Sequence, residues 1–283
     1  MNQTDSHKSK HEVLLFFITT IFFTWLLWVP AFLMQNYGIP MRLSYDFFIT
    51  AGTYVPSIAG VFFTYIFGGK AEVRSLLRSL LNIRISTKWL LFILLVLPAV
   101  SAVSCLVFYL LMNTLPQAQF PPWFIPIAFV YILILMGPLG EEAGWRGFAL
   151  KRLLEYLSPF KAAVMLGIIW SIWHLPLFFI NGTTQNALTS FGSIPAILGY
   201  TLYTVMISVL MTLIYIMSNG SVFGSILLHT MGNLSLGVVP IIFSKNGAVV
   251  LLLTLCFTVT AFTYKYRKIM FHKPDPCGVC GVK

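Results

Sequence analysis

A chain of 283 residues in which 58% are hydrophobic and only 9% charged cannot cover the surface of a water-soluble domain, where about a quarter of residues carry charge. That excludes an ordinary soluble enzyme and points to an all-α, polytopic membrane protein. The net charge of +10 follows membrane topology, as set out below, so no nucleic-acid partner is expected.

A helix needs about 20 apolar residues, each rising about 1.5 Å, to cross a bilayer. Eight runs qualify, over about 13–34, 47–67, 89–112, 124–149, 161–180, 195–217, 222–240 and 247–264. Pro138, Gly140, Gly232 and Pro240 interrupt or end the fourth and seventh. With the N-terminus cytoplasmic, sixteen of the eighteen Lys and Arg residues fall in or beside cytoplasmic segments, and Arg42 and Lys245 alone face out. This asymmetry predicts an even number of crossings, both termini cytoplasmic, and a location in the cell membrane.

The first run follows a short basic segment, His7 to His11. It is long for a signal peptide and no small-residue cleavage site follows it, so it reads as the first anchor. Between the second and third runs, Val73, Leu76, Leu77, Leu80 and Leu81 recur at helical spacing among arginines. The stretch from Gly68 to Lys88 is therefore either an amphipathic helix on the inner leaflet or a basic loop that only sets topology.

The fourth run holds two adjacent carboxylates, Glu141 and Glu142, with Arg146 beyond them. An ionisable group in hydrocarbon costs on the order of a few kcal/mol unless paired or hydrated, so these residues are candidates for function. On a straight α-helix Glu142 and Arg146 share a face, while Glu141 is turned about 100° away. The fifth run carries Trp170 and, one turn on, His174 before Leu175 and Pro176; the seventh carries His229 and Asn233, four apart. Counting inward at about 1.5 Å per residue, Glu141 lies roughly 15 Å from Lys151, His229 roughly 15 Å from Asn219 and His174 roughly 20 Å from Lys161. The groups are expected to meet at one level, opening toward the cytoplasm.

Cys105 and Cys256 lie in apolar runs and read as small hydrophobes. Cys277 and Cys280 have the spacing of half a zinc knuckle but lack a second pair. The chain reads as one transmembrane domain, 1–283, with a motif-bearing core over about 123–240 and a cytoplasmic tail over about 265–283.

A carboxylate helped by an imidazole can take a proton from water and deliver hydroxide to a carbonyl carbon. A second imidazole and an amide N–H can stabilise the oxyanion that develops. Each residue also has a plain reading: an ion-paired helix end for Glu142 and Arg146, a carbonyl freed by Pro176 as partner of His174, and polar contact between helices for His229 and Asn233. Trp145, Trp170 and Trp173 read more readily as packing or interfacial anchors than as catalytic groups.

Taken in order, Glu141-Glu142-x-x-x-Arg146, Trp170-x-x-x-His174 and His229-x-x-x-Asn233 resemble the three motifs of the CAAX-protease and bacteriocin-processing (CPBP, or Abi) family. Its members include eight-helix intramembrane glutamic endopeptidases related to the Ras-converting CAAX endopeptidase. The second motif there commonly has Phe where this chain has Trp170. The resemblance implies that Glu141 activates water with help from His174, and that His229 and Asn233 form the oxyanion site. Glu142 and Arg146 become a structural ion pair that tunes Glu141, although the glutamates could exchange roles, and Trp170 and Trp145 become walls of the site. The implied activity is endopeptidase cleavage of a membrane-associated peptide or lipidated protein, a prenylated CAAX-type C-terminus included. The glutamic mechanism implies no cofactor; zinc stays chemically open, because Glu and His are competent ligands. A non-proteolytic immunity or regulatory protein of the same fold and a proton-coupled transporter are the competing classes.

Overall fold

A computed structural model describes residues 3–273, with side chains from Lys8 onward; Cys277, Cys280 and most of the expected tail lie outside the described residues. All regular elements among these residues are helical. They run α1 (Gln3–Tyr37), α2 (Tyr45–Leu80), α3 (Thr87–Met112), α4 (Ile125–Leu135), α5 (Pro138–Glu142), a π-helical stretch (Ala143–Leu150), α6 (Lys151–Leu153), α7 (Pro159–Trp173), α8 (Thr184–Leu188), α9 (Ser193–Met217), α10 (Val222–Val238), α11 (Lys245–Lys265) and α12 (Arg267–Met270).

Among the described residues, seven segments are long and apolar enough to cross a membrane, one fewer than the eight runs expected from the sequence. The run expected over 222–240 gives only the 17-residue α10, about 26 Å long against a hydrocarbon core of about 30 Å. It opens where the Ser221 hydroxyl accepts from the Gly224 N–H at 3.1 Å, and its polar residues His229, Thr230 and Ser235 are buried. Neighbours α3, α4, α5 and α9 pack around it. Enclosed by protein, α10 need not match the bilayer in length, and it can carry polar groups that lipid would reject.

The segment from Gly68 to Lys88 is partly helical. Gly69, at φ 66° and ψ −168°, joins two helices within α2, a backbone that L side chains rarely adopt. Beyond that kink Leu76 turns inward at 5% exposure while Leu77 and Leu81 face out, and the chain leaves the helix before α3.

The fourth run is not one straight helix. α4 stops at Leu135, Gly137 takes φ 107°, and Pro138 starts α5, a position where its missing N–H costs no helical bond. The next eight residues wind as a π-helix, all buried. This stretch lies tightly on α2: a Cβ at Gly60 would fall 2.6 Å from Gly144 Cα, and one at Gly140 would fall 2.7 Å from the Thr53 carbonyl oxygen. Phe16, Trp145, Phe148, Trp173 and Trp28 fill the space behind it.

Candidate active site

The break at Gly137 sets up the site. A side chain there would overlap Glu141 Oε1, so glycine is required both for the backbone turn and for the room the carboxylate occupies. Restarting the chain at Pro138 brings Glu141 into the first turn of α5, where free backbone N–H groups favour a negative charge. The π-helix that follows widens the turn, a local irregularity common at functional sites.

Glu142 and Arg146 form the expected ion pair, Nη1 to Oε1 at 3.0 Å, with both side chains fully buried. The same Oε1 lies 2.9 Å from His229 Nδ1, which ties α10 to the end of α5 and fixes the imidazole plane. Glu141 is held differently: its Oε2 accepts from Trp170 Nε1 at 2.6 Å. The Arg146 guanidinium sits over the Trp170 ring, 4.7 Å from its centroid. His229 meets the same ring edge-on, centroids 5.1 Å apart at 84°.

Although Glu141 was expected to turn away from the Glu142–Arg146 face, ligand atoms of Glu141, Glu142 and His229 all lie within 4.8 Å of one another. Long carboxylate side chains and the restarted helix bring both to one place, which a rotation count on a straight α-helix does not capture.

His174 ends α7, its Nδ1 2.8 Å from the Trp170 carbonyl oxygen. Its link to Glu141 runs through Trp170, and its ring also packs against Trp173 and Tyr200, at centroid distances of 4.5 and 5.2 Å. The plain reading, in which Pro176 frees the carbonyl partner, does not describe this contact, because the Trp170 carbonyl also accepts from the His174 backbone N–H at 3.3 Å. Asn233 Nδ2 donates to the Met136 carbonyl at 3.2 Å, closing the end of α4; its amide has a second N–H to offer. Trp145 packs against Phe16 and Trp173, at 5.4 and 5.9 Å, so it backs the site one layer out instead of walling it. Two further contributors were missed. Gly137 was foreshadowed by the Gly-Pro pair, but Tyr200 on α9, held by Gln185 Nε2 at 3.1 Å, left no signal in its own apolar run.

Two carboxylates and an imidazole form a donor set that zinc accepts, and Glu142 Oε2 is buried without a partner. Against this, Arg146 places a fixed positive charge 3.0 Å from Glu142, which repels a divalent cation. Without a metal, the arrangement offers a carboxylate steered by an N–H and an imidazole oriented by a second carboxylate. Those are the parts needed to activate water and to stabilise an oxyanion.

Residues 122–235 match the family described as type II CAAX prenyl endopeptidase Rce1-like. The chain is also similar to CAAX prenyl protease 2 of Methanococcus maripaludis, at 26% identity in an alignment of 269 residues that covers 93% of this chain and 96% of that protein.

Proposed function

We propose that the chain, whose residues 122–235 match the Rce1-like family and which is similar along most of its length to a CAAX prenyl protease, is an intramembrane endopeptidase acting on a membrane-associated substrate. A C-terminal peptide that carries a prenylated cysteine is the class that fits best. The observation that carries this reading is the convergence of Glu141, Glu142 and His229 within 4.8 Å, on segments set among membrane-spanning helices.

In this reading Glu141 takes a proton from water as the hydroxide attacks the scissile carbonyl carbon, and gives that proton to the leaving amine as the C–N bond breaks. His229 uses Nδ1 on Glu142, leaving Nε2 for the developing oxyanion. The Glu142 carboxylate, 2.9 Å from Nδ1, orients the ring for this contact. Asn233 supplies its second amide N–H, and His174 assists from beside Trp170. Glu142 and Arg146 hold the frame. The reaction uses no metal. The site opens toward the cytoplasm, the side on which the sequence concentrates its basic residues, and the protein resides in the cell membrane with both termini inside.

The test is cleavage of prenylated and unprenylated fluorogenic peptides by purified protein in detergent, comparing wild type with Glu141→Gln and adding a zinc chelator. Cleavage that Glu141→Gln abolishes and the chelator spares supports the reading. Loss on chelation, restored by zinc, moves Glu141, Glu142 and His229 into the role of metal ligands. Equal silence of both folded proteins on every peptide turns attention to a binding role in the membrane.

A further inference from the structure

Resting on the reading of Glu141 as the base, we infer that Trp170 is a positioning residue whose indole N–H fixes which oxygen of Glu141 meets the water. Its bond to Oε2 is short, 2.6 Å, and buried. A carboxylate end group otherwise rotates through a broad torsional well. With Oε2 held, Oε1 is the oxygen presented over Gly137, where a Cβ would collide with it. One oxygen is anchored and the other is left to take the proton.

The other tryptophans around this core use their indole N–H differently. Trp25 donates to the Trp173 carbonyl at 3.0 Å and Trp28 to the Ile49 carbonyl at 3.1 Å. Trp145 and Trp173 are buried with Nε1 unpartnered, so this fold does not require every buried indole to find an acceptor. Among the described residues, Trp170 is the tryptophan whose N–H is given to a carboxylate. Its plane is also locked, by Arg146 on its face at 4.7 Å and by His229 at 84°, while its own carbonyl holds His174 Nδ1 at 2.8 Å. A single residue thus touches Glu141, Arg146, His174 and His229.

Trp170→Phe keeps an aromatic ring and removes the N–H, which makes it the discriminating variant. The expected result is a fall in kcat of about tenfold to a hundredfold with KM within about threefold, because orientation acts on the chemical step and not on substrate capture. A kcat within about twofold of wild type, or a loss carried wholly by KM, overturns the inference. A second measurement does not depend on peptide cleavage. Thermal unfolding midpoints in detergent are compared for wild type, Trp170→Phe, Glu141→Ala and the double variant. Trp170→Phe should lower the midpoint in the wild-type background and leave it nearly unchanged beside Glu141→Ala; strictly additive shifts overturn the pairing. A wild type silent on every peptide defeats the protease reading, and the cycle still decides whether Trp170 holds Glu141.

Discussion

His229 Nδ1 lies 2.9 Å from Glu142 Oε1, the oxygen that Arg146 Nη1 approaches at 3.0 Å. One carboxylate oxygen thus joins α10 to the π stretch and neutralises a guanidinium that is fully buried. Glu141, one residue earlier, makes no ion pair with Arg146. The two adjacent acids are therefore expected to separate by experiment. Glu142→Ala should cost about 3–5 kcal/mol of stability, because it leaves the Arg146 charge buried and unpaired. Glu141→Ala should leave the unfolding midpoint much closer to wild type while abolishing cleavage. Equal losses of stability in detergent would erase this division of labour.

Gly137 contributes no side chain, yet the site depends on it. Gly137→Ala places a Cβ on a backbone with φ 107° and in the space of Glu141 Oε1. The strain alone is worth about 1–3 kcal/mol, and relief can come only by moving the carboxylate. Cleavage should fall at least about tenfold, in line with the sensitivity of rate to small displacements of a reacting group. A variant that unfolds earlier but cleaves at the wild-type rate would show that the position of Oε1 does not matter.

Asn233 is bound to two outcomes. As an oxyanion donor, its loss in Asn233→Ala should slow cleavage by on the order of a hundredfold. As the group that holds the Met136 carbonyl at 3.2 Å, its loss should also cost about 1 kcal/mol of stability. Measured rate and unfolding midpoint together separate the roles. A rate loss under about threefold with the midpoint lowered leaves only the tie to α4.

Much of this architecture is written in hydrophobic run length, and each of the eight apolar runs does contain a helix. The seventh is short because Pro240 ends it and because its polar residues are buried by protein, facts that a bilayer-thickness rule does not weigh. The π stretch is invisible in the pattern. It differs from an α-helix by a fraction of a residue per turn, and the close seating of Gly144 and Gly140 on α2, visible only in three dimensions, accompanies it. The motif residues were identifiable because ionisable groups are rare in such runs. Their partners were less so: Trp170 looked like a wall until its N–H was seen on Glu141, and Trp145 looked like a wall although it lies a layer behind. Tyr200 comes from a different helix whose composition marks no position as special.

The same limit applies at the basic end of the bundle, where pairing joins residues far apart in the chain. Arg152 Nε lies 2.6 Å from Glu12 Oε2, and its Nη2 lies 3.5 Å from Glu72, which also accepts from Lys151 at 2.9 Å; the Ser9 hydroxyl reaches Glu155. Arg152 and Glu12 are 4% and 6% exposed, so their attraction is little screened. Glu12→Ala should therefore cost up to about 3–5 kcal/mol, because it leaves the buried Arg152 with only the longer contact to Glu72. Lys151→Ala, whose side chain is 43% exposed, should cost no more than about 1 kcal/mol. Replacing Glu12 and Arg152 together by leucine should recover most of the first loss, since a buried pair exchanged for apolar packing is close to neutral. Unfolding midpoints of the four proteins in one detergent decide it: if the double variant is as damaged as Glu12→Ala, the contact matters for its geometry and not for its charge balance.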